Sequence, residues 1–336
     1  MTVSDAPAGQ AEDETYFFDD GDCIFLADNT IFRLHRAFLS RDPSSVFRNM
    51  FRDATGDTSE PIPLSDTAED IRALCWLLYL PPGELYALAK TPGTVDVRKL
   101  LRILDMTHKY MMLQLETLAS TMLDAIPAAL PNYLATCTEE ELEWAFELGI
   151  RHASAAAAPD SKQQLGRLLD LVETKWLTHI DASKPKFTYR RALDAGERHG
   201  RRKFQGRVYL RMHLIVSWTK GLVTSPSQDL QTHFGLTDIQ FQRLLRGSLL
   251  LANIMPPRGL GAHLPMHTNC SYHAYCTDSW ASINWKAEMA RQPLVCLQNA
   301  KSKSNCAKQY LRNVPTDADL IADYFLGPVV SALADA

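Results

Sequence analysis

Strand-like patterns are confined to the first 64 residues of this chain, and this feature constrains the fold most. Two short apolar stretches, residues 23–27 and 31–34, flank Asp28-Asn29-Thr30, a sequence that tolerates a tight turn and so predicts a β-hairpin. Residues 62–64 contain a proline and can form only an edge strand. Later apolar residues repeat almost entirely at helical spacing. The sequence therefore predicts an α+β protein.

The length of the chain predicts two domains. At 336 residues it is longer than most single domains. Residues 1–15 are rich in alanine, glycine and acidic side chains, which predicts a disordered, solvated tail. We expect a first domain over residues 16–126, with a small sheet flanked by helices. Residues 127–336 are expected to form a mainly α-helical region.

Capping boxes locate the start of several predicted helices. In such a box a side chain at the helix start and one three residues later bind each other's main-chain N–H groups. The sequence predicts these caps at Asp66/Glu69, Thr138/Glu141 and Thr237/Gln240.

The net charge of −4 hides a strong asymmetry along the chain. Residues 1–183 carry 15 basic and 29 acidic side chains, whereas residues 184–336 carry 20 basic and 10 acidic ones. Residues 184–211, the basic segment, contain ten of these lysines and arginines. This distribution predicts attraction between the two halves or an acidic partner. The contacts expected to an acidic partner or to nucleic acid are Arg201, Arg202, Lys203 and Arg207.

Two patterns raise nucleic-acid binding as an alternative for this region. Basic residues interleaved with aromatic ones, as in the basic segment, can neutralise phosphates. Residues 230–245 place Gly235 at a turn and Thr237 at a helix start, as in a helix-turn-helix. Gln231 is larger than the small residue usual at its position, so we favour an ordinary helical hairpin with a glycine turn. We therefore favour an intramolecular or protein-facing role.

The cysteines and the first residues indicate the cellular compartment of the protein, and its hydropathy indicates whether it associates with a membrane. The seven cysteines are odd in number and lack the spacing of a secreted disulfide scaffold. The first residues are acidic, unlike a signal peptide. We expect reduced thiols in the cytoplasm or the nucleus. Since no apolar run approaches the roughly 18–20 residues of a membrane span, we expect no membrane association.

The motif search predicts a protein without catalysis, cofactor or metal. The sequence has no P-loop, nucleophile elbow or zinc-protease motif. Steps of three residues on a helix advance about 300°, so a run of histidines and cysteines at this spacing spreads around the helix. Zinc would require a loop conformation or help from later cysteines. The residues concerned are His263, His267, Cys270, His273, Cys276, Cys296 and Cys306.

The order of motifs in the N-terminal region resembles that of the BTB/POZ domain. Asp22 opens the first predicted strand, and the second strand continues into a Phe-x-x-His-Arg-x-x-Leu motif. The motif and the helices after it supply Phe32, His35, Arg36, Leu39, Phe47 and Tyr79. The match covers about a third of the chain. The layout is also similar to that of fungal proteins that join such a domain to a helical extension.

The resemblance implies a scaffold or interaction module that pairs with itself or with another BTB protein. By position, Asp22 and Arg36 match the charged pair beneath the family's dimer interface. Their chemistry allows a bidentate, partly desolvated pair, or an aspartate that caps a turn beside a solvated arginine. We expect His35 to be a packed, hydrogen-bonded core residue.

Two alternative functions follow from the same features. A DNA-associated transcription regulator would use the N-terminal domain to dimerise and the basic segment to bind. A cullin-3 ubiquitin-ligase adaptor is the second alternative, since some BTB domains recruit that ligase. Thr58 stands where such adaptors usually carry an apolar residue, so we expect weak cullin-3 binding.

Overall fold

The chain forms two compact units, Met1–Val172 (unit 1) and Glu173–Ala336 (unit 2). The α+β class is confirmed, because unit 1 contains a four-stranded sheet and both units contain helices. Among the described residues, no helix combines the length and apolarity needed to cross a membrane. The structure is a computed structural model that describes residues 10–53, 60–90, 95–126, 128–154, 159–181, 187–218, 229–254, 263–291 and 293–328.

The sheet of unit 1 is built around the predicted hairpin. Its strands are β1 (Ala11–Phe17), β2 (Cys23–Ala27), β3 (Thr30–Leu34) and β4 (Ile62–Leu64), in the order β1-β3-β2-β4. β2 and β3 pair in antiparallel fashion, with Asp28 at a φ of 49° in their turn. β1 pairs with β3, and β4 pairs with β2, both in parallel. The strand that contains Pro63 lies at the edge, as predicted.

The predicted tail is wrong for residues 11–15, which belong to β1. Asp13 explains why an acidic stretch is ordered, since this residue is only 5% exposed. Its carboxylate accepts hydrogen bonds from the main-chain N–H groups of Thr15 and Tyr16 and from Arg72 Nε at 2.6 Å. The composition of residues 1–15 predicted that they are solvated. The carboxylate of Asp13 is instead ion-paired and buried.

Helices complete unit 1. They are α1 (Arg36–Leu39), α2 (Val46–Asp53), α3 (Ala68–Leu78), α4 (Pro82–Lys90), α5 (Val97–Lys109), α6 (Leu113–Asp124), α7 (Ala129–Thr136) and α8 (Glu139–Ser154). α8 begins with the predicted Thr138/Glu141 cap. The cap predicted at Asp66/Glu69 is wrong, because Thr67 and Asp70 form the capping box of α3. Asp66 instead accepts hydrogen bonds from Lys109 and Tyr110.

The core of unit 1 fills the space between the sheet and the helices. It includes Phe25, Phe32, Leu39, Phe47, Leu74 and Tyr110, and the rings of Phe47 and Tyr110 stack with centroids 4.2 Å apart. α7 and α8 pack against α5. The compact unit therefore continues to Val172, whereas the sequence placed the end of the first domain near residue 126.

Every regular element in the described part of residues 127–336 is a helix, as predicted. Gly206 allows α11 and α18 to approach, because a Cβ there would lie 2.8 Å from Ala322 Cα. A Cβ at Gly247 of α13 would lie 2.0 Å from the Phe325 ring of α18. The helices are α9 (Pro159–Asp181), α10 (Tyr189–Arg198), α11 (Arg202–Trp218), α12 (Leu230–Phe234), α13 (Asp238–Ile254), α14 (His273–Ala281), α15 (Trp285–Arg291), α16 (Pro293–Lys303), α17 (Asn305–Tyr310) and α18 (Ala318–Leu326).

Candidate functional site

Asp22 and Arg36 lie together at the start of α1, but their contact differs from a simple ion pair. Asp22 Oδ1 accepts a hydrogen bond from the main-chain N–H of Arg36 at 2.7 Å. Arg36 Nε donates to the main-chain carbonyl of Asp22 at 3.1 Å. Each side chain thus binds the other residue's backbone, and Asp22 is exposed. These bonds tie the beginning of β2 to the beginning of α1. Arg36 is half-buried rather than solvated, and its guanidinium carbon lies 5.1 Å from the centroid of the Phe51 ring.

The other motif residues divide between the core and an aromatic cluster. Phe32, Leu39 and Phe47 are buried in the core of unit 1. His35 is half-buried, and its Nδ1 lies 3.0 Å from the hydroxyl of Tyr79. The same hydroxyl accepts a hydrogen bond from the main-chain N–H of His35 at 2.9 Å. Burial raises the pKa of Tyr79 far above its usual value, so this phenol stays protonated.

Phe38 of α1 stacks on this cluster and is itself exposed, and the sequence analysis missed it. Its ring centroid lies 4.7 Å from that of Tyr79, yet 37% of the residue is open to solvent. Its only sequence signal is its place between the motif residues His35 and Leu39. An aromatic ring at this position is available for contact with another molecule.

Phe38 also lines an apolar groove of about 300 Å³ in unit 1. The groove lies between α1, α3, α4 and α6, and its apolar walls include Phe38, Leu77, Leu80, Leu85, Leu115 and Leu118. Asp42 anchors one side, since its carboxylate accepts hydrogen bonds from Ser44 and from the main-chain N–H of Gln114. Burial raises the pKa of Asp42, but these hydrogen bonds outweigh it and lower the pKa. The groove thus has an ionised, fixed rim beside its apolar walls.

In unit 1, a buried carboxylate joins two imidazoles. Glu116 Oε1 lies 3.1 Å from His108 Nδ1 and 3.5 Å from His152 Nδ1. The two rings face each other with centroids 4.2 Å apart. Burial raises the pKa of Glu116, but the contacts with His152 and His108 outweigh it, so the pKa is lowered. We call these three residues the carboxylate cluster. Their spacing along the sequence did not indicate that they would meet.

The basic segment is paired with acids of its own unit. Glu173 accepts hydrogen bonds from Arg201 at 2.8 Å and from Arg207 at 3.4 Å. Arg202 contacts Asp323 at 3.0 Å, and Lys203 contacts Asp319 at 2.9 Å. Two of these three acids, Asp319 and Asp323, lie in the half of the chain that carries net positive charge. The expected attraction between the acidic and the basic half of the chain therefore accounts for only some of these ion pairs.

The stretch for which a helix-turn-helix was the alternative to an ordinary helical hairpin contains a short and a long helix. α12 has five residues, and Gly235 follows it at a φ of 66°. The predicted Thr237/Gln240 cap opens α13. Gln231 Nε2 reaches across the turn to the Asp238 carboxylate at 2.7 Å, so its long side chain closes the turn. The exposed residues of α13 include the apolar Ile239, Leu245, Leu249 and Leu250 beside the polar Gln242 and Arg246.

Four residues with metal-ligand side chains converge in unit 2, and we call them the thiol cluster. They are Cys270, His273, Cys276 and Cys306, and their ligand atoms all lie within 4.8 Å of one another. α14 begins only at His273, so Cys270 is free of the helical geometry that argued against convergence. Cys306 arrives from α17. The prediction that these residues spread around a helix is therefore wrong. Both conditions that the sequence analysis set for a zinc site, a loop conformation and a later cysteine, are present.

The expectation of weak cullin-3 binding has no structural counterpart. Thr58, the position that weakened the cullin-3 assignment, lies outside the described residues. No protein-family model matches the chain, and neither a curated protein nor a solved structure does so.

Proposed function

We propose that this protein is a non-catalytic interaction protein whose unit 1 acts as a BTB/POZ-like module. It forms dimers with a second copy of itself or with a related chain, and unit 2 serves as a helical extension. The order of the N-terminal motifs supports the family likeness. The observation that carries the proposal is the exposed ring of Phe38 beside the apolar groove.

The geometry of α1 suits an association surface. Asp22 and Arg36 hold the start of α1 through two main-chain hydrogen bonds, so the ring of Phe38 is presented on a fixed element. Exposed aromatic residues beside a groove are typical anchors of protein interfaces. In a two-fold symmetric pair, each copy presents the same ring and the same groove. The ring of one copy then enters the groove of the other.

The basic segment supports a protein partner over nucleic acid. Its central residues already contact Glu173, Asp319 and Asp323. Phosphates would have to displace these carboxylates, which are held at high effective concentration by the same chain.

Light scattering of the full chain at micromolar concentration tests the proposal. We expect a dimer, and we expect Phe38→Asp to weaken it about thirty-fold or more, as loss of a central aromatic contact does. Ile239→Asp is the matched control, because Ile239 is an exposed apolar residue of unit 2. Circular dichroism verifies that both variants fold. A monomeric wild-type chain, or dissociation by Ile239→Asp alone, would contradict the proposal.

A further inference from the structure

Two distances within the thiol cluster match those of a zinc site, and its four ligand atoms all lie within 4.8 Å of one another. Cys270 Sγ lies 3.7 Å from Cys276 Sγ, and Cys306 Sγ lies 3.5 Å from His273 Nδ1. A tetrahedral zinc ion with Zn–S of about 2.3 Å and Zn–N of about 2.0 Å separates two sulfurs by about 3.8 Å, and a sulfur from a nitrogen by about 3.5 Å. Both measured distances agree within about 0.1 Å.

The orientation of His273 provides an independent second observation. Its Nε2 lies 3.1 Å from the main-chain carbonyl oxygen of Leu264. Because that oxygen can only accept, Nε2 carries the hydrogen and Nδ1 keeps its lone pair. This lone pair faces the sulfur of Cys306. A carbonyl that fixes the tautomer of a histidine in this way is the usual outer partner of a zinc ligand.

We propose that Cys270, His273, Cys276 and Cys306 bind one zinc ion as a structural site. Three thiolates and one imidazole form a closed tetrahedral set with no position left for a substrate, which is characteristic of structural zinc. Binding releases the thiol protons and joins the turn before α14, α14 itself and α17. The site is separate from the groove of unit 1 and does not depend on the function proposed for that unit.

The surrounding elements explain why a metal is needed there. α14, α15 and α17 have nine, seven and six residues, and helices this short are marginal unless tertiary contacts hold them. A disulfide explains the cluster less well. The 3.7 Å between the sulfurs of Cys270 and Cys276 is far from the bonded length of about 2.05 Å, and such a bond would leave Cys306 and His273 unused.

Metal analysis of the full chain, purified under reducing conditions after growth with zinc, tests the site. We expect one zinc ion per chain by inductively coupled plasma mass spectrometry. Cys276→Ser and Cys306→Ser should each reduce the retained zinc at least tenfold. Cys296→Ala is the control and should keep it, because Cys296 is equally buried but lies outside the cluster.

A measurement on the wild-type chain keeps the test valid if these variants do not fold. Zinc is removed with a chelator and replaced by Co²⁺, which should give the visible absorption of a tetrahedral cobalt–thiolate site. His273→Cys should retain the metal and raise the thiolate-to-cobalt absorption by about one third, since it adds a fourth thiolate. Absence of both zinc and the cobalt spectrum in the folded chain would overturn the proposal. So would a Cys270–Cys276 disulfide found by mass spectrometry in that reduced preparation.

Discussion

Each unit gathers a cluster of ligand-type side chains, but the two clusters are satisfied in different ways. In unit 1, the carboxylate of Glu116 lies between the imidazoles of His108 and His152. In unit 2, three thiols surround His273. A carboxylate supplies a full negative charge and accepts strong hydrogen bonds, whereas a thiol is a weak donor and a weak acceptor. The carboxylate of Glu116 thus has both imidazoles as neighbours, although neither ring nitrogen of His152 makes a hydrogen bond, while the thiol cluster gains most from a cation.

This difference shows that the presence of ligand-type residues alone does not indicate a metal site. Glu116 is a negatively charged partner for both imidazoles, and its lowered pKa records that interaction. The thiol cluster has no carboxylate member. The charge balance of a cluster, together with its distances, therefore separates an ion-paired group from a metal centre.

The largest expected effect is local unfolding of unit 2 when the metal is removed. Chelation of zinc should increase hydrogen exchange in α14, α16 and α17, because the metal joins the segments around them. The carboxylate cluster contributes no ligand to the proposed zinc site, so exchange in α5 and α6 of unit 1 should stay unchanged. Hydrogen-exchange mass spectrometry with and without the chelator measures both. An equal increase of hydrogen exchange in both units would contradict the proposed difference between the two clusters.

The next effect is the loss of the carboxylate from unit 1. Glu116→Ala leaves His108 and His152 without their shared acidic partner and should destabilise unit 1 by about 3 kcal/mol, as removal of one member of a buried pair does. Urea unfolding followed by exchange in α6 measures the change. Glu84→Gln, which alters an exposed carboxylate of α4, is the control and should have little effect. A Glu116→Ala variant as stable as wild type would show that the cluster contributes nothing.

A third prediction is that the stabilities of the two units depend differently on pH. Burial lowers the pKa of His213 in α11 to about 4. The unfolded chain, with an ordinary histidine pKa near 6.5, binds this proton more readily, so the stability of unit 2 should fall by about 3 kcal/mol as the pH drops from about 6.5 to about 4. His213→Leu should remove that loss. In unit 1, the lowered pKa of Glu116 preserves stability until the pH falls below about 4.3.

Chemical unfolding at several pH values, followed by hydrogen exchange in α11 and α6, measures the two profiles. Wild type and His213→Leu share the thiol cluster, so any acid release of metal affects both equally. An identical pH dependence in the two proteins would refute the role of His213.

The smallest expected effect concerns DNA. The full chain should bind duplex DNA only weakly at physiological salt, and changing Arg201, Arg202 and Lys203 together to Ala should alter this little, because these residues already contact carboxylates. Asp323→Asn removes the carboxylate that neutralises Arg202, which keeps its hydrogen bond to the main-chain carbonyl of Gly327, and should raise the affinity. A fluorescence-anisotropy salt series measures both. Submicromolar binding with a log–log salt slope of several units, reduced by the triple change, would instead favour the DNA-associated regulator.

The locally encoded elements were the most predictable part of the molecule. The caps at Thr138 and Thr237 follow from residues within four positions of one another, and the hairpin and the edge strand that contains Pro63 follow from stretches of at most twelve residues. Periodicity also predicted the helical character of the C-terminal region. Interactions of this kind depend on backbone geometry and on nearby side chains, which the sequence shows directly.

The candidate sites were less predictable because their parts are distant along the chain. Asp13 orders β1 through Arg72, 59 residues away, and Asp66 leaves its predicted cap to bind Lys109. The groove beside Phe38 requires four helices to be in place before it exists. No local sequence pattern shows which distant residue a side chain will contact, because each of these contacts depends on the packing of the whole unit.

The sequence by itself determined the α+β class, the hairpin, the helical character of the C-terminal region and the supply of thiols, imidazoles and charges. Only the tertiary structure decided which of these side chains meet. It brought Cys306 to Cys270 and His273 across more than 30 residues, and it paired Arg202 with Asp323 within unit 2. The physical reason is that local structure arises from contacts along the backbone, whereas clusters form where packing brings remote segments within a few ångströms.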